Sequence, residues 1–185
     1  MKFAVMLLTK LHVRVLFIGS TILVMTKKLK KIVISKDKAV FWLNKNGRWC
    51  NRHGEFEHKK IIDYFNASIR KDQGGYYVAQ TTDDYQEKVY FYYEDTALFV
   101  VDVLKGKDIL LVLNTGKKIK LKPKKLSMKA DNLYMHIGEE RIKFNERSLV
   151  EISVLIECYN DQYVIKIKNR KYKIAKAILY EAALP

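Results

Sequence analysis

The stretch Tyr90–Val103, YFYYEDTALFVVDV, restricts the possible folds more than any other part of the chain. Entering it from Glu87, the residues Val89, Phe91 and Tyr93 fall on one face of a strand, and Lys88, Tyr90 and Tyr92 on the other. Aromatic and β-branched side chains suit a pleated, half-buried surface. Glu94-Asp95-Thr96 then breaks the alternation with side chains that hydrogen-bond their own backbone, as turns require. Leu98–Val103 follows as a nearly continuous apolar run, the pattern of a strand buried on both faces. The chain must therefore build a sheet around this central strand. The Tyr90/Tyr92 face is then covered by other parts of the chain or left as a contact surface.

A chain of 185 residues with 49% hydrophobic content can bury a core, as one compact unit or two small lobes. Two cysteines, Cys50 and Cys158, make no disulfide framework, so a reduced cytoplasmic setting is expected. The formal charge of +15 bears on attraction to polyanions rather than on fold, and keeps nucleic acid and anionic membrane surfaces open as partners.

The first residues differ from the rest. Val15–Met25 is apolar but only eleven residues long, short of the about 20 that a bilayer-spanning helix needs. No small-residue cleavage site follows it, as a secretory signal would require. Residues 1–31 are read as an N-terminal extension outside the folded protein, with Met25 as an alternative start. Peripheral membrane association, backed by Lys27, Lys28, Lys30 and Lys31, is the other reading.

From Ile32 onward turn residues recur at short intervals. Strands are expected at 32–34, 39–43 and 48–50, with Asn46-Gly47 as a tight turn. Ile61, Ile62, Phe65 and Ile69 recur at helical spacing within Glu57–Lys71. Strands follow at 76–79 and 87–93, then hairpins over 109–121, across Asn114-Thr115-Gly116, and over 133–144, across Gly138. Asn145 is the expected N-cap of a helix to about Glu157. A last hairpin spans 163–174, and the tail from Ala175 reads as a short helix.

These elements predict an α+β fold of antiparallel hairpins with one helix per lobe, in repeated hairpin–helix–hairpin units. The lobes are expected at 32–104 and 105–185, after the extension.

Several pieces carry a resemblance to a known family. Asn46-Gly47-Arg48-Trp49, Phe56 to Phe65 leading into Ile69, Asp72 with Gly75-Tyr76-Tyr77-Val78, Glu87-Lys88-Val89, and Glu94-Asp95-Thr96-Ala97-Leu98-Phe99 together resemble the bacterial domain-of-unknown-function family 1285. The resemblance covers roughly residues 37–174. Tyr93 and Leu98 depart from its pattern, which has a valine-like residue before Glu-Asp and often a proline after it. The resemblance implies a two-part α+β fold with repeated hairpin–helix units and a signalling or regulatory role, with no established activity, cofactor or catalytic residue. Proteins of this kind often carry a transporter-permease name. Nothing after Met25 has the length of apolar sequence that such a name requires.

No arrangement of residues points to catalysis. Cys50, His53 and His58 offer three metal ligands where a structural zinc site wants four, so no metal is expected. Glu94, Asp95 and Asp102 lie on a turn and strand where neighbours point apart, against an acid/base pair. No nucleophile elbow surrounds a serine, and Gly74-Gly75 follows a helix instead of preceding one, the wrong order for a phosphate loop. The chain is read as a non-catalytic binding or regulatory module without cofactor, taking up a protein or small molecule at the Tyr90/Tyr92 face or between the lobes. Its candidate surface is Trp49, Tyr90, Tyr92, Glu94 and Asp95. The alternative is polyanion binding, to RNA or an anionic membrane, through Lys118, Lys120, Lys122 and Lys124 of KKIKLKPKK.

Overall fold

A computed structural model of the protein describes residues 29–176 other than Asp83, with the backbone alone at 15–18 and 21–24. Of the leader expected to associate with a membrane, the apolar stretch is described only as the backbone of two strands, and Lys27 and Lys28 lie outside the described residues. So does the expected C-terminal helix, apart from Ala175–Lys176, which form a strand. No helix among the described residues is long and apolar enough to cross a membrane.

Strands β1 (Val15–Ile18) and β2 (Thr21–Val24) pair antiparallel. The elements around one apolar cluster, termed the first lobe, are β3 (Lys30–Ile34), β4 (Phe41–Leu43), β5 (Trp49–Asn51), β6 (Gly54–Glu55), α1 (Lys59–Ala67), β7 (Ile69–Asp72), β8 (Gly75–Thr81), β9 (Tyr85–Tyr90) and β10 (Tyr92–Tyr93), and those from Leu98 onward, around the other cluster, are termed the second. The first lobe forms two four-stranded sheets, ordered β3-β9-β8-β7 and β10-β4-β5-β6. The chain passes from one sheet to the other at Phe91, so the strand expected over 87–93 is broken there. Its face pattern holds nonetheless: Val89 and Phe91 are buried, while Tyr92 is 58% exposed. The core between the sheets is aromatic, with Trp49 meeting Phe65 and Phe91 edge-on at centroid distances of 5.3 and 4.8 Å.

The second lobe runs β11 (Leu98–Lys105), β12 (Ile109–Leu113), β13 (Lys118–Lys120), β14 (Leu126–Lys129), β15 (Asn132–Ile137), β16 (Glu140–Phe144), α2 (Glu146–Ser153), β17 (Ile156–Tyr159), β18 (Gln162–Ile167), β19 (Arg170–Lys173) and β20 (Ala175–Lys176). Seven strands, β13-β12-β11-β16-β15-β14-β20, make one sheet, and β17-β18-β19 make another. The fold is α+β and mostly sheet. Each helix lies between two three-stranded meanders, β4–β6 and β7–β9 around α1 and β14–β16 and β17–β19 around α2, where the sequence predicts hairpins.

β11 is the interior strand that its apolar run predicts, and it serves both cores. Phe99 and Val101 join the first cluster, Val100 and Val103 the second. Strict alternation would turn Val103 away from Val100. A bulge between Val100 and Asp102 restores it to the second core. The Val103 N–H donates to Glu151 Oε2 of α2 at 3.0 Å. Asn145 caps that helix as expected, accepting from Ser148 N at 2.9 Å, and the buried Ser148 hydroxyl donates to Val100 O at 2.8 Å.

Both helices end sooner than their periodicity suggests. Ile69 is the buried residue that the helical spacing singles out, but it lies in β7, paired with Val78. Ile156 likewise begins β17. In each case strand pairing satisfies the backbone groups, with Ile69 buried and Ile156 partly buried against its core, so tertiary context overrides local preference.

Gly47 closes the Asn46-Gly47 turn with φ of 78°, and a Cβ there would lie 2.8 Å from the buried Phe99 ring. Gly116 has a similar φ of 80°, with open space around it. Gly47→Ala is expected to destabilise by about 2–4 kcal/mol, combining backbone strain with overpacking. Gly116→Ala carries only the strain, about 1 kcal/mol. Urea unfolding midpoints of the two variants check the difference.

Candidate functional site between the two cores

The Glu94-Asp95-Thr96 turn joins the lobes residue by residue. Glu94 faces the first: its N–H donates to Leu43 O at 3.0 Å, and its carboxylate accepts from Lys45 N at 2.9 Å. Asp95 faces the second. It accepts from Tyr134 Oη at 2.8 Å, from Arg141 Nη2 at 2.5 Å and from Lys143 Nζ at 3.1 Å. The Thr96 hydroxyl donates to Arg141 O at 2.5 Å. Lys143, 6% exposed, also donates to Lys45 O at 2.8 Å and so returns the network to the first lobe.

The Lys143 ammonium, almost fully withdrawn from water, is tolerated because it has both the Asp95 carboxylate and a carbonyl as partners. Burial first, and then the bond to Asp95, push the Tyr134 phenol up to about 12, so it stays a donor at physiological pH.

Beside this network lies a cleft of about 380 Å³, within the range of small-molecule sites. Ile69 and Tyr76 of the first lobe and Leu98, Ile119, Ile137 and Ile142 of the second give it apolar walls, with Arg70, Lys71, Lys117 and Glu140 also lining it. Lys71 Nζ meets Glu140 Oε1 at 2.8 Å, linking one wall to the other. This bond raises the lysine above its ordinary range. Glu140 Oε2 is shut off from solvent and has no hydrogen-bond partner.

The candidate residues named from the sequence separate here. Trp49, expected on a binding surface, is 1% exposed in the aromatic core, its Nε1 donating to Asn66 Oδ1 at 2.9 Å. Its bulk is needed between the two sheets. Glu94 and Asp95 form the inter-lobe network. Tyr90 is half-buried on the outer sheet face, donating to Asp72, which also pairs with Lys88 at 2.5 Å. Tyr92 is exposed and makes no contact with the inter-lobe network, while Glu94 is exposed within it. Lys118, Lys120, Lys122 and Lys124 are all exposed, and Lys120 pairs with Asp108 at 2.8 Å. Cys50 is buried while His53 and His58 are exposed, and among the described residues no three His, Cys, Asp or Glu side chains are grouped to hold a metal.

Sequence reasoning missed Tyr134, Arg141, Lys143, Lys71 and Glu140. The first three and Glu140 lie on strands β15 and β16, whose pattern shows pairing but not that one end faces the Glu-Asp-Thr turn. A lysine flanked by Ile142 and Phe144 was the available signal for Lys143.

Two lobes joined by a partly buried ionic turn, with a cleft beside it, define the class of architecture. The chain is similar in structure to a DUF1285 family protein from Silicibacter pomeroyi DSS-3, over 80% of this chain and 84% of that one, with a TM-score of 0.53 and 12% identity. That likeness shows a shared fold. A DUF1285 family protein from Shewanella baltica OS155 aligns over 60% of this chain and 88% of its own, with a TM-score of 0.42 and 16% identity, too low to bear on fold or function. No family model and no curated protein matches the chain.

Asp95→Ala leaves Lys143 without its counter-charge and is expected to cost about 3–5 kcal/mol in a chemical-denaturation measurement. Because the Tyr134 pKa is raised on folding, its contribution to stability is complete below about pH 10 and lost as pH rises towards about 12. Absorbance titration of the phenolates should show a last ionisation near pH 12 that Tyr134→Phe removes, among the 12 tyrosines.

Proposed function

We propose that the protein is a non-catalytic binding module of the cytoplasm that takes up a small molecule with an apolar body and a hydrogen-bond donor in the inter-lobe cleft. The cleft between the two apolar clusters carries this reading, with Ile69 and Tyr76 on one wall, Ile137 and Ile142 on the other, and the partly exposed Glu140 carboxylate among its lining as an acceptor. The apolar walls supply the remaining contact area and the nearby cations favour an anionic substituent. A regulatory role follows from the same placement, since both lobes wall the cleft and a bound molecule acts on the Lys71–Glu140 link between them. The free cysteines Cys50 and Cys158 suit a reducing compartment.

A second reading, polyanion binding through the lysine face, is favoured by the exposure of Lys118, Lys122 and Lys124. Its signature is affinity that weakens steeply with salt.

The cleft is tested with 1-anilinonaphthalene-8-sulfonate, whose rings and sulfonate fit apolar walls and a cationic rim. Saturable fluorescence enhancement with one site per chain, abolished by the cleft-filling Ile137→Trp in a variant that unfolds at the wild-type midpoint, supports the reading. Enhancement that fails to saturate, or that Ile137→Trp leaves unchanged, overturns it.

A further inference from the structure

We propose that Lys117–Lys125 and the β18–β19 hairpin form one composite surface that binds the phosphate backbone of a nucleic-acid duplex. The proposal rests on the polyanion reading above and supplies its partner and its second half.

The two segments are separate in sequence and adjacent in the fold. The 3-10 turn Pro123–Lys125 lies against β19. Both segments are fixed on one core through Leu121, Ile165 and Ile174, which are buried together. What they direct outward is basic. Lys122, Lys124 and Lys125 on one side and Lys166, Lys168, Arg170, Lys171 and Lys173 on the other are all exposed. Neither 117–125 nor 162–173 contains an aspartate or glutamate.

The acidic groups paired with this surface are Asp108, 2.8 Å from Lys120, and Glu157, 3.1 Å from Lys171. The Asp108 carboxyl is held below the ordinary range by the Lys120 hydrogen bond first, with Lys168 of the hairpin adding its charge. Two acids do not neutralise eight or more cations. Lys166 lies directly opposite Lys171 in the β18–β19 register, and Glu157, paired with Lys171, is the carboxylate that both lysines act on.

The surface also lacks what other polyanions need. An anionic membrane holds an interfacial protein through inserted apolar side chains, and a single strand is held by bases stacked on aromatics. Of the large apolar side chains exposed among the described residues, Tyr159, beneath Lys171 at 4.8 Å, and Leu104, in cross-strand register with Leu110 and Lys120, border this surface. One tyrosine under a lysine and one leucine on a separate strand make neither a membrane anchor nor a stacking track. A surface of exposed cations with so little apolar or aromatic area is complementary to a backbone of phosphates, which a duplex presents with its bases stacked inside.

Fluorescence anisotropy of a mixed-sequence RNA duplex with the full chain tests this, alongside a DNA duplex, a single strand, and vesicles of phosphatidylcholine with phosphatidylserine. Both duplexes are expected to bind. Engagement of about four phosphates weakens affinity about 100-fold between about 50 and 200 mM salt. Lys122→Glu with Lys124→Glu, and Lys168→Glu with Lys173→Glu, should each weaken binding at least about tenfold and reduce the salt slope by about 2. Lys59→Glu with Lys60→Glu on α1 makes the same charge change away from the surface and should leave binding intact. If only the Lys122/Lys124 pair matters, the polyanion reading stands and the composite surface is wrong. No duplex binding, or equal loss from the α1 control, overturns both. Vesicle or single-strand binding in preference to duplex overturns the partner assigned.

Discussion

Asp95 is where the two halves of the molecule are held in register. Its carboxylate takes a phenol, a guanidinium and an ammonium from β15 and β16, and the same ammonium continues to Lys45 O in the first lobe. Removing a carboxylate from water is unfavourable, and the cost is offset only if its partners hold a fixed geometry. The partners on adjacent strands and the turn that carries Asp95 must therefore keep their relative positions. That requirement sets how β11 enters the seven-stranded sheet, with Leu98 beside Ile142 immediately after the turn.

Below this polar joint the two apolar clusters meet along β11, which sends alternate residues into each. The bulge after Val100 and the Val103–Glu151 bond make that sharing compatible with backbone hydrogen bonding. The cleft follows from the same construction. Where the sheets of the two lobes diverge beside the Asp95 joint, Ile69 and Tyr76 face Ile137 and Ile142 across a gap linked by Lys71 and Glu140. The cleft and the basic surface draw on different residues, apart from Lys117 and Ile119, which contribute to both regions.

Short-range patterns were readable wherever one residue's neighbours in sequence decide its state. The Asn114-Thr115-Gly116 and Gly138 hairpins, the Asn145 cap and the two faces of Lys88–Tyr93 are of this kind. Ile69 and Ile156 were assigned to helices because an isolated apolar residue at helical spacing looks the same whether it is buried from a helix or from a strand. Trp49 was assigned to a surface because an aromatic beside an Asn-Gly turn gives no sign of which face a second sheet will cover. The Glu-Asp-Thr turn was legible as a turn. Its three partners on β15 and β16 were not, since they lie about forty residues or more away.

The sequence by itself determined the mixed α+β class, the central position of Leu98–Val103, the hairpin turns and the large positive charge, because each depends on composition or on spacings of two to four residues. Only the tertiary structure decided that Asp95 would bridge the lobes, that a carboxylate oxygen of Glu140 would stand unpaired beside a cleft, and that the Lys117–Lys125 segment would lie against the β18–β19 hairpin. Each of these depends on strand order and on which sheet faces cover one another. Those are settled by burying both apolar clusters at once, a condition that no local stretch of the chain contains.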